Sequence, residues 1–193
     1  MPKSTFNNLP ANKRKLIQDV CLEEFASHSF AEASVSRIVK ALGIAKGSIY
    51  QYFKDKFDLY TYLIQISLDR KYKILDFVAQ RSTESLDLWL LQVCLAELKF
   101  AKEFSEMQEL LARAELESNY PIEERDNSFV ESSLKRLMPF MASRDLEAKV
   151  FLVRIFKNGI VAKFINSALT DEVINSQINP LIRLVNKIMT DQS

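Results

Sequence analysis

Residues 46–56 bring together basic, hydroxyl-bearing and amide-bearing side chains. These are Lys46, Ser48, Tyr50, Gln51, Tyr52 and Lys56. Ammonium groups neutralise backbone phosphates, and hydroxyl groups donate hydrogen bonds to phosphate oxygens. The amide of Gln51 can pair with an adenine edge or bond a phosphate. Gly47 lets the backbone approach a partner closely, at a cost to helix stability of about 1 kcal/mol relative to Ala. The segment favours contact with nucleic acid, although a solvated helix face has a similar composition.

Two helices and a tight turn must position this segment. Ser34 suits the N-cap of a first helix, and the apolar residues that follow it form one buried face. Gly43 suits the left-handed residue that ends a helix. A short second helix then begins at about Ala45 or Lys46 and directs Ile49 inwards. This order predicts a helix-turn-helix, whose second helix lies in the DNA major groove.

The rest of the chain predicts helices nearly throughout. Apolar residues recur at spacings of three and four, and period-two alternation is missing. The expected helices cover residues 11–28, 56–81, 86–101, 105–118, 122–141 and 144–169. Thr170 suits the N-cap of a last helix, which Pro180 should kink or split. The predicted fold class is therefore all-α.

The composition disfavours several classes of protein. The 193 residues include 26 basic and 25 acidic side chains, and 48% are apolar, which is typical of one or two globular domains. The three glycines, Gly43, Gly47 and Gly159, are spaced neither as a dinucleotide-binding loop nor as a P-loop. The single histidine, His28, has no nearby Cys or carboxylate cluster, which disfavours a metal site or a catalytic triad. We expect no enzyme activity, no metal and no cofactor.

The sequence predicts a cytoplasmic protein. The longest nearly uncharged apolar stretch, residues 88–96, is much shorter than the ~20 residues of a membrane helix. The first residues lack the apolar core of a signal peptide. Cys21 and Cys94 have apolar neighbours, as buried thiols do. Residues 1–60 carry a net charge of +3 and the remainder −2, an asymmetry often seen in nucleic-acid-binding proteins.

The segment from Lys13 to Tyr60 resembles the TetR/AcrR (tetracycline-repressor) family of bacterial transcription regulators. Its core is VSRIVKALGIAKGSIYQYFKDKFDL at residues 35–59. This stretch has the family's order of a capped Ser-Val pair, an Ile, a Gly-Ile pair, a Gly, an Ile-Tyr pair, a Tyr-Phe pair and a Lys. The departures are Ser29 in place of Gly, Ala45 in place of a capping Ser or Thr, and Phe57 in place of Glu.

The resemblance implies about nine helices in two domains. We expect a three-helix helix-turn-helix DNA-binding domain at residues 1–55, and a helical effector-binding and dimerisation domain at residues 56–193. The positions that match DNA contacts of the family are Ser34, Lys46, Gly47, Ser48, Tyr50, Tyr52 and Lys56. Gln51 is added from its side-chain chemistry alone.

The resemblance also implies a homodimer that joins through its last two helices and binds a palindromic operator in double-stranded DNA. Apolar residues there make candidate interface positions of Phe151, Ile155, Val161, Ile165, Ile182 and Val185. Family members couple DNA affinity to a small molecule, and the many aromatic residues of the body suit an apolar or aromatic effector. The candidate effector contacts are Trp89, Phe100, Phe104, Met107 and Phe129. The predicted function is a ligand-responsive regulator, acting as a repressor in the family's usual mode.

Two other function classes stay open. One is an all-helical enzyme, which the absence of a nucleophile elbow and of a His-containing cluster in the sequence disfavours. The other is a helical lipid- or partner-binding protein without DNA binding. The polar face from Lys46 to Lys56 is intact apart from Ala45, and this favours the regulator.

Overall fold

The computed structural model describes residues 1–81, 85–117, 122–139 and 143–190. Within these ranges the chain forms helices and no β-strand, which confirms the predicted all-α fold class. The helices are α1 (Ser4–Asn7), α2 (Ala11–Ser27), α3 (Val35–Leu42), α4 (Lys46–Tyr52), α5 (Lys56–Arg81), α6 (Leu86–Glu103), α7 (Ser105–Leu116), α8 (Ile122–Leu137), α9 (Ser143–Phe164), α10 (Asp171–Val173) and α11 (Asn179–Thr190). None of the described helices is long and apolar enough to cross a membrane.

The chain packs into two compact units. Unit 1 consists of Met1–Arg70 and Phe104–Tyr120, and unit 2 consists of Lys71–Glu103 and Pro121–Ser193. Helix α5 therefore contributes its first part to unit 1 and its last part to unit 2. These are units of packing, and the functional division into residues 1–55 and 56–193 stays a prediction.

Local signals near the start of the chain are confirmed. Helix α2 begins and ends within one residue of the expected helix. The N–H of Arg37 donates to Ser34 Oγ at 3.4 Å, which caps α3. Gly43 follows α3 with a φ of +63°, the left-handed conformation that glycine adopts without a Cβ clash. The capped helix and its tight turn form as the residue types predict.

The C-terminal helices differ from expectation in their ends. Helix α8 ends at Leu137, earlier than expected, because the residue before Pro139 is disfavoured in the helical region. Helix α9 ends at Phe164, also earlier than expected. The break predicted at Pro180 does not occur: helical structure runs without a gap over residues 171–190, and a π-helical stretch over Ile174–Ile178 directly precedes the turn that contains Pro180.

Each unit has its own core. Unit 1 buries the ring of Phe53, just past the end of α4, and aromatic rings from four of its helices: Phe6, Phe25, Tyr52 and Tyr60. Unit 2 buries Trp89, Phe100 and Phe164 together with aliphatic side chains of α6, α8, α9 and α11. Cys21 and Cys94 are buried and free, as predicted, and burial raises the pKa of both thiols to about 12. Both thiols are therefore protonated at neutral pH.

Candidate nucleic-acid interface

Helix α4 separates an inner apolar face from an outer polar face. Ile49 and Tyr52 are buried, and Phe53 continues the inner face just past the end of the helix. Four residues on the other side are exposed, namely Lys46, Gly47, Tyr50 and Gln51, and Ser48 is half-buried. The exposed four recur at positions i, i+1, i+4 and i+5, which share one side of a helix. The side chains of Lys46, Tyr50 and Gln51 and the backbone of Gly47 are thus available to a partner outside the fold.

The carboxylate of Glu24, which is largely buried, holds the start of α3 in place. Oε1 of Glu24, on α2, accepts a hydrogen bond from the N–H of Ser34 at 2.7 Å and another from Arg37 Nε at 2.9 Å. Partial burial raises the pKa of Glu24, but the hydrogen bonds from Arg37 and Ser34 outweigh it and hold the pKa below its usual value. The ionised Glu24 therefore ties α2 to the helix-turn-helix.

Lys56 is engaged within unit 1. Its ammonium donates to the carbonyl oxygens of Phe30 at 2.5 Å and Ala33 at 3.0 Å. It also lies 4.5 Å from the centroid of the Phe30 ring. These contacts join the first turn of α5 to the loop before α3. The phosphate contact expected of Lys56 stays a prediction. Substitution of Lys56 would also weaken the contact between α5 and the loop before α3.

Two further predicted DNA contacts have structural roles. The hydroxyl of Ser34 accepts from the N–H of Arg37, and Tyr52 is 8% exposed. Ala45 occupies the N-cap position of α4 without a side-chain hydrogen bond, as its methyl group requires. The exposed positions 46, 47, 50 and 51 are the part of the predicted set that reaches solvent together. Their role in DNA binding stays a prediction.

Sequence reasoning missed the first ten residues. Ser4–Asn7 among them form the short helix α1, and Phe6 is fully buried against Tyr52, Phe53 and Tyr62. The available signal was a lone Phe in a polar segment next to a helix with several aromatic residues. A single apolar residue carries no periodicity, so the pattern could not indicate a helix there.

Comparison with known proteins matches the helix-turn-helix to a family. Residues 17–63 match the family described as bacterial regulatory proteins, tetR family. Over 56 residues the chain is 41% identical to an HTH-type transcriptional regulator of Staphylococcus aureus strain USA300. This match covers 29% of the chain and 30% of the relative. The crystal structure of a TetR family transcriptional regulator from Chloroflexus aurantiacus aligns with 98% of this chain and 95% of its own, at a TM-score of 0.68 and 25% identity.

The helix-turn-helix of this chain, residues 17–63, is that of the tetR family of bacterial regulatory proteins. A TetR-like transcriptional regulator from Rhodococcus sp. RHA1 shares the fold, with a TM-score of 0.72 and 18% identity over 96% of this chain and 100% of its own. The resemblance seen in the sequence is thereby confirmed. The chain spans about 30% of the length of the curated Staphylococcus relatives that it matches.

The predicted dimer-interface positions fall into two groups. Phe151 and Ile155 are exposed and Ile165 is half-buried. The other three belong to the core of unit 2, and they are Val161, Ile182 and Val185. Sequence reasoning missed the exposed pair Leu184 and Ile188 on α11. Their spacing of four residues is the signal that could have found them.

The predicted effector contacts divide between the units. Trp89, Phe100 and Phe129 are buried in unit 2, where the rings of Trp89 and Phe129 lie 6.3 Å apart. Phe104 and Met107 are half-buried in unit 1, and Phe104 lies 4.5 Å from the guanidinium of Arg70. Of the five predicted effector contacts, Trp89 and Phe129 therefore lie next to each other. The effector role of all five stays a prediction.

Proposed function

We propose that this chain is a ligand-responsive, DNA-binding transcriptional repressor of the bacterial cytoplasm. The observation that carries the proposal is the outer face of α4, where Lys46, Gly47, Tyr50 and Gln51 are exposed together above a buried inner face. This face suits the DNA major groove because Lys46 carries a positive charge, Tyr50 and Gln51 can form hydrogen bonds, and Gly47 has no side chain to keep its backbone from the DNA. No turnover of a substrate is part of the proposal.

A homodimer would give the short helix α4 its specificity. One recognition helix reads few base pairs, whereas two on a two-fold axis read a palindrome. Helices α9 and α11 expose four large apolar side chains, each between 53% and 56% exposed: Phe151, Ile155, Leu184 and Ile188. Each pair is spaced four residues apart on its helix, α9 or α11, and so shares one face. Apolar faces of this kind favour burial against a second copy.

A small effector would act through unit 2. The indole N–H of Trp89 is buried and has no hydrogen-bond acceptor among the described residues. The neighbouring rings of Phe129 and Tyr72 lie 5.7 Å apart. An apolar or aromatic molecule with one acceptor atom suits these surroundings. Its binding would favour a conformation of the dimer that does not fit DNA.

The decisive experiment is selection of random duplex DNA by the purified protein. We expect a palindrome to be enriched at about 100 mM salt, a condition that must be stated because phosphate-driven affinity depends steeply on salt. The double variant Lys46→Ala, Tyr50→Ala should lose this binding and keep its helicity and oligomeric state. Lys99→Ala, an exposed lysine of α6, is the matched control and should bind as the wild-type protein does.

The same selection can overturn the proposal. Absence of enrichment, both before and after refolding the protein to strip a bound ligand, would contradict it and favour a helical lipid- or partner-binding protein. Unaltered binding by the Lys46, Tyr50 variant would remove α4 from the interface.

The dimer has a separate test. Ile155→Glu and Leu184→Glu should each convert the dimer to a monomer in sedimentation velocity, because a buried carboxylate without a partner is strongly disfavoured. Phe77→Glu is the matched control, since Phe77 is 55% exposed on α5. A wild-type protein that sediments as a monomer would contradict the dimer.

The effector can be sought with the single tryptophan. Trp89 is the only Trp of the chain, so its emission reports on unit 2 alone. Aromatic and lipophilic compounds that bind there should change the emission of Trp89 and release the enriched duplex over the same concentration range. A compound that releases DNA in the Trp89→Phe variant with unchanged potency would contradict a site at Trp89.

A further inference from the structure

The last turn of helix α4 is capped by the start of the chain. The backbone N–H of Lys3 donates to the carbonyl oxygen of Tyr52 at 2.8 Å. The ammonium of Lys3 donates to the carbonyl oxygen of Tyr50 at 2.7 Å, and the hydroxyl of Thr5 donates to that of Gln51. Carbonyls in the last turn of a helix have no partner within the helix. Three consecutive carbonyls are therefore satisfied by residues 46 to 49 positions away in the sequence.

The segment that provides these donors is itself anchored. We call residues 1–8 the N-terminal arm. Phe6 is 0% exposed, and its ring centroid lies 4.9 Å from that of Phe53 and 5.5 Å from that of Tyr62. The guanidinium of Arg14 donates to the carbonyl oxygen of Asn7 at 3.0 Å. The arm is thus held between α2, α4 and α5 and does not hang free.

Helix α4 needs outside support. It has seven residues, no side-chain N-cap at Ala45 and Gly47 in its first turn. Helices this short are unstable alone, and a missing cap and a glycine weaken them further. A cation near the C-terminal end also complements the negative end of the helix dipole. Lys3 meets that requirement with its ammonium on the Tyr50 carbonyl.

We propose that the N-terminal arm positions α4 for DNA recognition, with Lys3 and Thr5 as positioning residues. The two carbonyls that their side chains bind belong to Tyr50 and Gln51, whose own side chains are exposed on the outer face. The arm therefore holds the backbone of the residues that face the DNA. It lies outside residues 17–63, the part that matches the family. The inference rests on the proposed function.

The test removes the side-chain donors and keeps the anchor. In Lys3→Met and in Thr5→Val, we expect faster amide hydrogen exchange at residues 50–53 and about tenfold weaker binding to the duplex that the wild-type protein enriches. The anchor Phe6 is left in place so that the variants fold, and thermal melting checks this. Lys3→Arg retains a donor and should restore most of the affinity. Lys13→Met, an exposed lysine of α2, is the matched control.

Salt dependence separates positioning from direct contact. A positioning role leaves the slope of log affinity against log salt unchanged in Lys3→Met. A slope smaller by about 0.9 would mean that Lys3 neutralises a phosphate itself, and would overturn the inference. So would wild-type exchange rates at residues 50–53 in both variants. Failure of the wild-type protein to bind any duplex would overturn the proposed function, and it is distinguishable because exchange is measured without DNA.

Discussion

The ammonium of Lys157 lies 2.6 Å from Oε1 of Glu97, and both side chains are buried in unit 2. The same ammonium lies 2.8 Å from Oδ1 of Asp126, which also accepts from the hydroxyl of Tyr72 at 3.0 Å. The ammonium of Lys71 lies 3.1 Å from Oε2 of Glu97. Two cations and two anions from α5, α6, α8 and α9 therefore neutralise one another within a helical core.

Burial and pairing act in opposite directions on these groups. Burial raises the pKa of Glu97, but the nearby ammonium groups of Lys157 and Lys71 outweigh it and lower the pKa to about 2. Burial lowers the pKa of Lys157, but Glu97 and Asp126 outweigh it and raise that pKa above its usual range. Glu97 and Lys157 are therefore both ionised at neutral pH.

Removing the central cation should strongly destabilise unit 2. Lys157→Met leaves two buried carboxylates with a single remaining ammonium, and an uncompensated buried charge costs about 3–5 kcal/mol. Urea unfolding followed by circular dichroism measures the loss. Lys99→Met is the matched control because Lys99 is 69% exposed, and it should change the free energy of unfolding by less than about 0.5 kcal/mol. A loss below about 1 kcal/mol in Lys157→Met would contradict the prediction.

Acid should weaken the same network. The pKa of Glu97 is depressed in the folded state, so its contribution to stability is present above the unfolded-state value of about 4.3 and is lost as the pH falls through about 2. Over that window, the free energy of unfolding of the wild-type protein should fall more steeply than that of Glu97→Gln. Glu103→Gln, exposed on the same helix, should retain the wild-type slope. Equal slopes in the wild-type protein and Glu97→Gln would show that the pKa of Glu97 is not depressed.

Substitution of Gly47 should separate stability from DNA binding. Among the described residues outside α4, no atom lies within 4 Å of where a Cβ at Gly47 would stand. Gly47→Ala should therefore raise the free energy of unfolding by up to about 1 kcal/mol, through helix propensity. On the outer face the added methyl group should weaken DNA affinity, measured by titration of the enriched duplex.

The control for Gly47 is a glycine on another helix. Gly159→Ala in α9 has equally open surroundings and lies in unit 2. It should stabilise the fold to a similar extent and leave DNA affinity unchanged. If Gly47→Ala binds DNA as well as the wild-type protein does, the backbone at Gly47 does not approach the duplex.

A capping residue at position 45 should strengthen the recognition helix. Ala45 has the extended backbone of an N-cap, with φ of −67° and ψ of 144°, but no side-chain acceptor. Ala45→Ser provides one and should stabilise unit 1 by about 1 kcal/mol. It should also tighten DNA binding. Ala41→Ser, in the interior of α3, is the control and should be neutral or slightly destabilising. No gain in melting temperature at position 45 would argue that the helix start is already satisfied.

Features that depend on neighbouring residues could be predicted from the residue types alone. Ser34 and Gly43 define α3, since a cap and a left-handed residue act within one turn of the chain. The helical spacing of apolar residues located α2 and α5 for the same reason. The family resemblance followed from a contiguous motif between Lys13 and Tyr60, most of which lies in the segment that matches the family, residues 17–63.

Packing between distant helices sets which polar residues are buried and which helix ends are capped by residues far away in the sequence. Glu97 and Lys99 lie two residues apart on α6, yet Glu97 is 2% exposed and Lys99 is 69% exposed. Glu97 is buried because its partner Lys157, 60 residues away, neutralises it. The N-terminal arm is ordered because Phe6 enters a core built by later helices. Pairings over such separations depend on packing that no local pattern encodes.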